Sequence, residues 1–221
     1  MLKSFVRRQF NVPGFLRYGT RGQRHCRCSR MARQGSLIPS TREIEGFAYR
    51  EDFITAGEEL DLLNRIRSLD FHDMKMRGVV ARRRVIHYGV KYSFETFKAS
   101  EGPPLPAFLL PLRDRAAEFA GIQPDDLAEA LLTEYAPGAP IGWHRDAHPF
   151  DIVIGMSLLS ACRFRFRRGK VRAWETVDVP LPPRSAYVLT GPARTEWEHS
   201  IPPVKELRYS VTFRTLRKKS A

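Results

Sequence analysis

A chain of 221 residues, 43% of them hydrophobic, can bury one substantial core and reads as a single domain with a tail. No run of about eighteen apolar residues occurs, which excludes a membrane-spanning helix. The net charge of +13 suggests a nucleic-acid partner, but its distribution is uneven.

Residues 1–42 hold Lys3, Arg7, Arg8, Arg17, Arg21, Arg24, Arg27, Arg30, Arg33 and Arg42 and no acid. These are ten of the 37 bases, leaving 27 against 24 acids in the rest of the chain. An acid-free segment without an apolar period reads as a disordered tail. Three readings fit it: a nucleic-acid arm, an Arg-rich targeting peptide, or an untranslated stretch before a start at Met31. Cys26, Cys28 and Cys162 are odd in number and poorly spaced for disulfides, so they are read as ordinary thiols in a reducing compartment. The expected location is cytoplasmic, or organellar if residues 1–30 are a targeting peptide.

The stretch "TAGEELDLLNRIRSL" (55–69) predicts a helix, with Leu60, Leu63, Ile66 and Leu69 at helical spacing and Thr55 with Glu58 as a capping box. "RRRVIHYGVKYSF" (82–94) is β-branched and aromatic around Gly89 and predicts a strand or hairpin. A second helix is expected from Pro106 to Phe119, with Gly121 past its end and Pro111 shortening or kinking it. From residue 130 the pattern becomes seven short strands at 130–135, 141–146, 152–159, 162–167, 174–181, 185–191 and 207–216. Separated by Pro- and Gly-bearing turns, they predict a sandwich, barrel or jelly roll.

The strand segment "IGWHRDAH" (141–148) raises the question of chemistry. His144 and Asp146, two apart on a strand, would stand side by side, whereas His148 precedes a turn-like "PFD" and falls beyond the strand. The histidine left outside the tail and the N-terminal part is His199, in "TEWEHSI". Two imidazoles and one carboxylate form the facial set of non-haem Fe(II) oxygenases, and equally a catalytic zinc set. The plainer alternative is a structural His-x-Asp pair with a satisfied core histidine. In "RYSVTFR" (208–214), Arg208, Ser210, Thr212 and Arg214 share one strand face. Two guanidiniums there suit a small dicarboxylate; alternatively that face meets solvent and Tyr209, Val211 and Phe213 face the core.

Taken in order, "EYAPGAPIGWHRD", "MSLLSACRFRF", "SAYVLTGPARTEWEHSI" and "RYSVTFR" resemble the catalytic core of the AlkB family of Fe(II)/2-oxoglutarate dioxygenases. The resemblance covers about residues 130–216. It implies a mainly β protein with flanking helices (α+β) whose core is a double-stranded β-helix, of the jelly-roll, cupin-like kind. The domain would run over 43–221, with helices and a substrate lid in 43–129. It implies Fe(II) on His144, Asp146 and His199, with 2-oxoglutarate and O2 as cosubstrates. Arg208 would grip the distal carboxylate of 2-oxoglutarate, Tyr135 would donate its hydroxyl nearby, and Arg214 would lie close to the cofactor or the reacting centre. Two positions depart from the family's pattern: Thr133 and Ser210 stand where many members have Asn in the 2-oxoglutarate pocket. His148 stands where repair members often have an acid, and Arg194 in "GPAR" matches a position near the substrate.

The implied reaction hydroxylates a carbon attached to nitrogen, after which the adduct collapses to an aldehyde. Basic groups fit a nucleic-acid substrate: Lys75, Arg77, Arg82, Arg83 and Arg84 by the lid, and "RFRFRRGKVR" (163–172), whose phenylalanines suit a core face. The expected protein is a monomeric oxidative demethylase of single-stranded or damaged DNA or RNA. Two other classes stay open: the same oxidation on a protein or small molecule, and a non-catalytic β-barrel binding module.

Overall fold

The computed structural model describes residues 43–76, 79–93 and 98–218. The basic tail, with Cys26 and Cys28, and Arg77 lie outside the described residues. In chain order the elements are β1 (Phe47–Arg50), α1 (Ala56–Ile66), β2 (His72–Met76), β3 (Val79–Ser93), β4 (Lys98–Glu101) and α2 (Leu110–Ala120). Then come β5 (Leu127–Tyr135), β6 (Ile141–His144), β7 (Phe150–Leu158), β8 (Cys162–Lys170) and β9 (Ala173–Leu181). The C-terminal run is β10 (Ala186–Leu189), α3 (Gly191–Thr195), β11 (Glu198–Ile201) and β12 (Arg208–Leu216). None of the described helices is long and apolar enough to cross a membrane.

Helix α1 begins at the expected cap. Thr55 accepts the amide of Glu58 while the Glu58 carboxylate accepts that of Thr55, a closed capping box. Its buried stripe is Glu59, Leu62, Leu63 and Ile66, whereas Leu60 is 57% exposed, so the expected stripe is offset. Glu59 is drawn inward because its carboxylate accepts the backbone amide of Leu159 and sits by Arg184. Pro111 does not kink α2. It lies in the first turn, where the amide it lacks has no intrahelical partner, and a short 3-10 turn (Ala107–Leu109) precedes it. Gly121 ends α2 in the left-handed conformation, as expected.

All strand pairs are antiparallel and form two sheets. The larger runs β1-β10-β7-β12-β5-β3-β2 with β4 on β3; the smaller runs β6-β11-β8-β9. This is the mainly β jelly roll with few helices that the strand pattern and the resemblance imply. Strand parity sorts the core. Ala130 and Leu132 of β5, Ile154 and Met156 of β7, and Val211 and Phe213 of β12 pack with Leu62, Ile66, Leu112 and Ala116 of the two helices. A second cluster joins the sheets through Tyr135, Val153, Phe164, Phe166, Leu189 and Trp197. Burying either set removes apolar surface worth about 1.5–3 kcal/mol per large side chain. The alternate residues of β5 and β12 are thereby turned to the space between the sheets.

Candidate active site

Those alternate residues line one cavity of about 230 Å³. Strand β5 contributes Glu129, Leu131, Thr133 and Tyr135, and β12 contributes Arg208, Ser210, Thr212 and Arg214. The register pairs Arg208 with Tyr135, Ser210 with Thr133 and Arg214 with Glu129. Arg208, Ser210 and Thr212 are buried although polar, so the β12 face of arginines and hydroxyls does not meet bulk solvent.

His144 and His199 are directly opposite in the β6–β11 pairing, and their rings lie 4.3 Å apart edge to face. Strand β6 stops at His144, so Asp146 is not on a strand but in the connection to β7. Two arginines fix that connection. The Arg194 Nη2 donates to the carbonyls of Asp146, Ala147 and Phe150 at 3.1, 2.9 and 2.8 Å. Arg214 Nε and Nη2 both reach Asp146 Oδ1 at 2.8 Å. Asp146 Oδ2 is left buried with no hydrogen-bond partner, 3.4 Å from His199 Nε2. His144 Nδ1 is 2.9 Å from the Gly142 carbonyl, which keeps its proton there and leaves Nε2 as an acceptor.

The electrostatics match a ligand set. Burial pushes the His199 imidazole down to about 3, and His144 beside it acts in the same direction. Burial also lowers His144. Burial alone would raise the Asp146 carboxyl, yet the Arg214 guanidinium holds it well below the usual carboxylate range. Two neutral imidazoles and one carboxylate oxygen without a partner are the donors a divalent metal takes. They converge without forming a finished coordination shell: among the described residues no three such groups stand in ligating geometry.

Arg208 carries another buried atom without a partner. Its Nε donates to Ser157 Oγ at 3.1 Å, its carbon end lies 4.8 Å over the Tyr135 ring, and its Nη1 is buried with no partner. An unpaired buried guanidinium nitrogen fits the carboxylate of a bound organic acid. Thr133 and Ser210 line the same space.

The remaining expected residues are placed differently. Arg194 does not line the cavity; it is buried against backbone, a support for the loop of Asp146 rather than a substrate contact. His148 is exposed and off the cavity wall. Alternation splits the lid arginines: Arg83 faces the cavity, whereas Arg82 and Arg84 point outward and Arg84 pairs with Glu134 at 2.7 Å. The β8 arginines are paired with acids: Arg163 and Arg165 with Asp178, Arg167 with Glu198, and Arg168 with Glu175 and Glu196. Those guanidiniums are thus engaged by acids on the sheet surface, while Phe164 and Phe166 enter the core as expected.

Two residues, Glu129 and Tyr187, went unread in the sequence. Glu129 accepts from Arg214 Nη1 at 2.6 Å through one oxygen and meets His87 Nδ1 at 2.9 Å with the other. A buried chain therefore runs from His87 on β3 through Glu129 and Arg214 to Asp146. The available signal was parity, since Glu129 is four residues before Thr133 on the same strand face. Tyr187 of β10 stacks on Phe164 at 4.7 Å over Gly155, where a Cβ would lie 2.3 Å from its ring. Nothing in the one-dimensional pattern announces that contact.

Fold and site thus define a jelly roll whose cavity gathers two imidazoles, a partnerless carboxylate oxygen and a partnerless guanidinium nitrogen. The chain belongs to the 2OG-Fe(II) oxygenase superfamily, whose model matches residues 46–214, and to its AlkB branch. It is 31% identical over 191 residues to the Arabidopsis thaliana "Alkylated DNA repair protein ALKBH8 homolog", covering 76% of this chain and 54% of that protein. To the Mus musculus "tRNA (carboxymethyluridine(34)-5-O)-methyltransferase ALKBH8" it is 31% identical over 169 residues, covering 72% of this chain and 24% of that protein. The chain thus spans about half of the first relative and about a quarter of the second. Among solved structures, OsALKBH1 matches with a TM-score of 0.58 at 15% identity, covering 77% of this chain and 96% of that one. The family implies Fe(II), 2-oxoglutarate and O2.

Proposed function

We propose that the chain oxidatively removes alkyl groups, methyl above all, from nucleic-acid bases. One observation carries the oxidation: the partnerless Asp146 Oδ2, between two histidines, shares a cavity with the partnerless Arg208 Nη1. His144, Asp146 and His199 would hold Fe(II), and Arg208, Tyr135, Thr133 and Ser210 would hold 2-oxoglutarate. Bound there, the iron with 2-oxoglutarate and O2 supplies a two-electron oxidation of a C–H bond. One oxygen atom ends in succinate, released with CO2, and the other in the substrate carbon, which leaves nitrogen as formaldehyde.

The chain's own groups prepare this. Arg214 occupies Asp146 Oδ1 and so presents only Oδ2. The Gly142 carbonyl sets the tautomer of His144. Tyr187, whose hydroxyl burial raises well above its ordinary pKa, adds a neutral aromatic wall that limits water. Support for a nucleic-acid substrate comes from the names of both relatives, one a DNA-repair protein and the other a tRNA enzyme. A base in a duplex would have to be flipped into a cavity of this size, at a cost of a few kcal/mol that single strands avoid.

The test is a screen of single-stranded DNA and RNA carrying N-methylated bases, with succinate, formaldehyde and product mass measured together. Equal yields of succinate and formaldehyde on an oligonucleotide are expected. Formaldehyde from a methylated peptide or free amine, and from no oligonucleotide, would replace this reading by a protein or small-molecule oxygenase.

A further inference from the structure

Arg83 is a cation in search of a counter-charge. It lies on β3 directly opposite Tyr135, half-buried, and lines the cavity. Its sequence neighbours differ in kind: Arg84 is paired with Glu134 on the opposite face, and Arg82 is exposed. Among the described residues no carboxylate pairs with Arg83; burial pushes its guanidinium down, the Tyr135 opposite it acts against that, and its charge also bears on His144. It therefore shares one cavity with Tyr135, expected to touch 2-oxoglutarate, and with His144 of the metal set.

The charges around the cavity point the same way. Arg83, Arg208, Arg214 and the rim residue Arg145 face only Asp146 and Glu129, and Arg214 already uses both of those acids. A divalent metal would add to the positive excess. Leaving a desolvated guanidinium without an anion is costly, and a dianionic ligand removes that cost. The same pocket also has Thr133 and Ser210 where amides are common in the family, so two donors to an organic acid are shorter here.

We propose that Arg83 is a second 2-oxoglutarate-binding guanidinium, which with Arg208 makes a two-arginine clamp that compensates for the hydroxyl residues Thr133 and Ser210. The inference rests on the cavity's being a 2-oxo acid site.

The experiment titrates the full chain, loaded with Fe(II) without oxygen, with 2-oxoglutarate by calorimetry. Arg83→Met, which keeps the aliphatic stem, is expected to raise Kd about tenfold or more, and Arg83→Lys to raise it less. Both variants are expected to melt with the cooperativity of the parent, and to bind a single-stranded oligonucleotide without 2-oxoglutarate as the parent does. An unchanged Kd for Arg83→Met overturns the assignment. A weakened oligonucleotide affinity with unchanged 2-oxoglutarate affinity also overturns it, and gives Arg83 to the substrate instead. If the parent itself binds no 2-oxoglutarate, the organic-acid reading of the cavity falls with it.

Discussion

Glu129 is the residue on which the buried chain beneath the site depends, and removing it has a calculable effect. Its side chain is 1% exposed, with Arg214 Nη1 at 2.6 Å and His87 Nδ1 at 2.9 Å. Glu129→Ala leaves a buried guanidinium with Asp146 as its one remaining anion. Breaking one side of a buried charged network costs about 3–5 kcal/mol. Glu129→Gln keeps the volume and an acceptor but loses the charge, for about 1.5–3 kcal/mol. At roughly 2–4 °C per kcal/mol for a domain of this size, alanine should lower Tm by roughly 6–20 °C. Glu196→Gln is the control, because Glu196 pairs with Arg168 at the surface, the two side chains being 53% and 43% exposed, and should cost about 1 kcal/mol or less. Urea and thermal unfolding of the metal-free chain, followed by circular dichroism, measure all three. Co(II) binding adds a second readout: with Glu129 neutral, Arg214 leans on Asp146 alone and competes with the metal, so affinity should fall. Glu129→Ala unfolding within about 1 kcal/mol of the parent would refute the argument, as would a control that costs as much.

Asp146→Ala should severely weaken Fe(II) binding in an anaerobic titration, whereas His148→Ala should bind nearly normally, because His148 is exposed and off the cavity; the reverse ranking would remove Asp146 from the metal set. Gly155→Ala would place a methyl 2.3 Å from the Tyr187 ring and should cost about 1–3 kcal/mol in urea while weakening 2-oxoglutarate, and a neutral outcome would show that Tyr187 is free to move. The Arg115 guanidinium and the Thr55 amide lower the Glu58 carboxyl from 4.5 to about 2. The stabilisation is therefore present above pH 4.5 and lost as pH falls through about 2. Because the pair is about 40% exposed, a loss of about 1 kcal/mol or less is expected, and Glu58→Gln should unfold with a flatter acid limb than the parent.

Local rules carried the sequence reading far where one interaction range decides. The capping box of α1 closes between residues three apart, and the alternation of β12 is a property of any extended chain, so both were legible from the residues alone. The ordered motifs likewise single out His144, Asp146, His199 and Arg208 from residue type and order alone. Tertiary structure decided which side of each alternation faces what. Only the pairing of β3, β5 and β12 turns Arg83 inward while Arg82 and Arg84 point out, because a strand's two faces are equivalent until its neighbours are known. The β11 strand, too short at four residues to show a period, acquires its role by pairing His199 against His144. Arg194 matches a position near the substrate by resemblance and becomes a clamp because the fold brings it against the carbonyls of Asp146, Ala147 and Phe150, 44–48 residues away. Contacts at that separation leave no trace in local pattern, since they depend on where the sheets bring the chain back together.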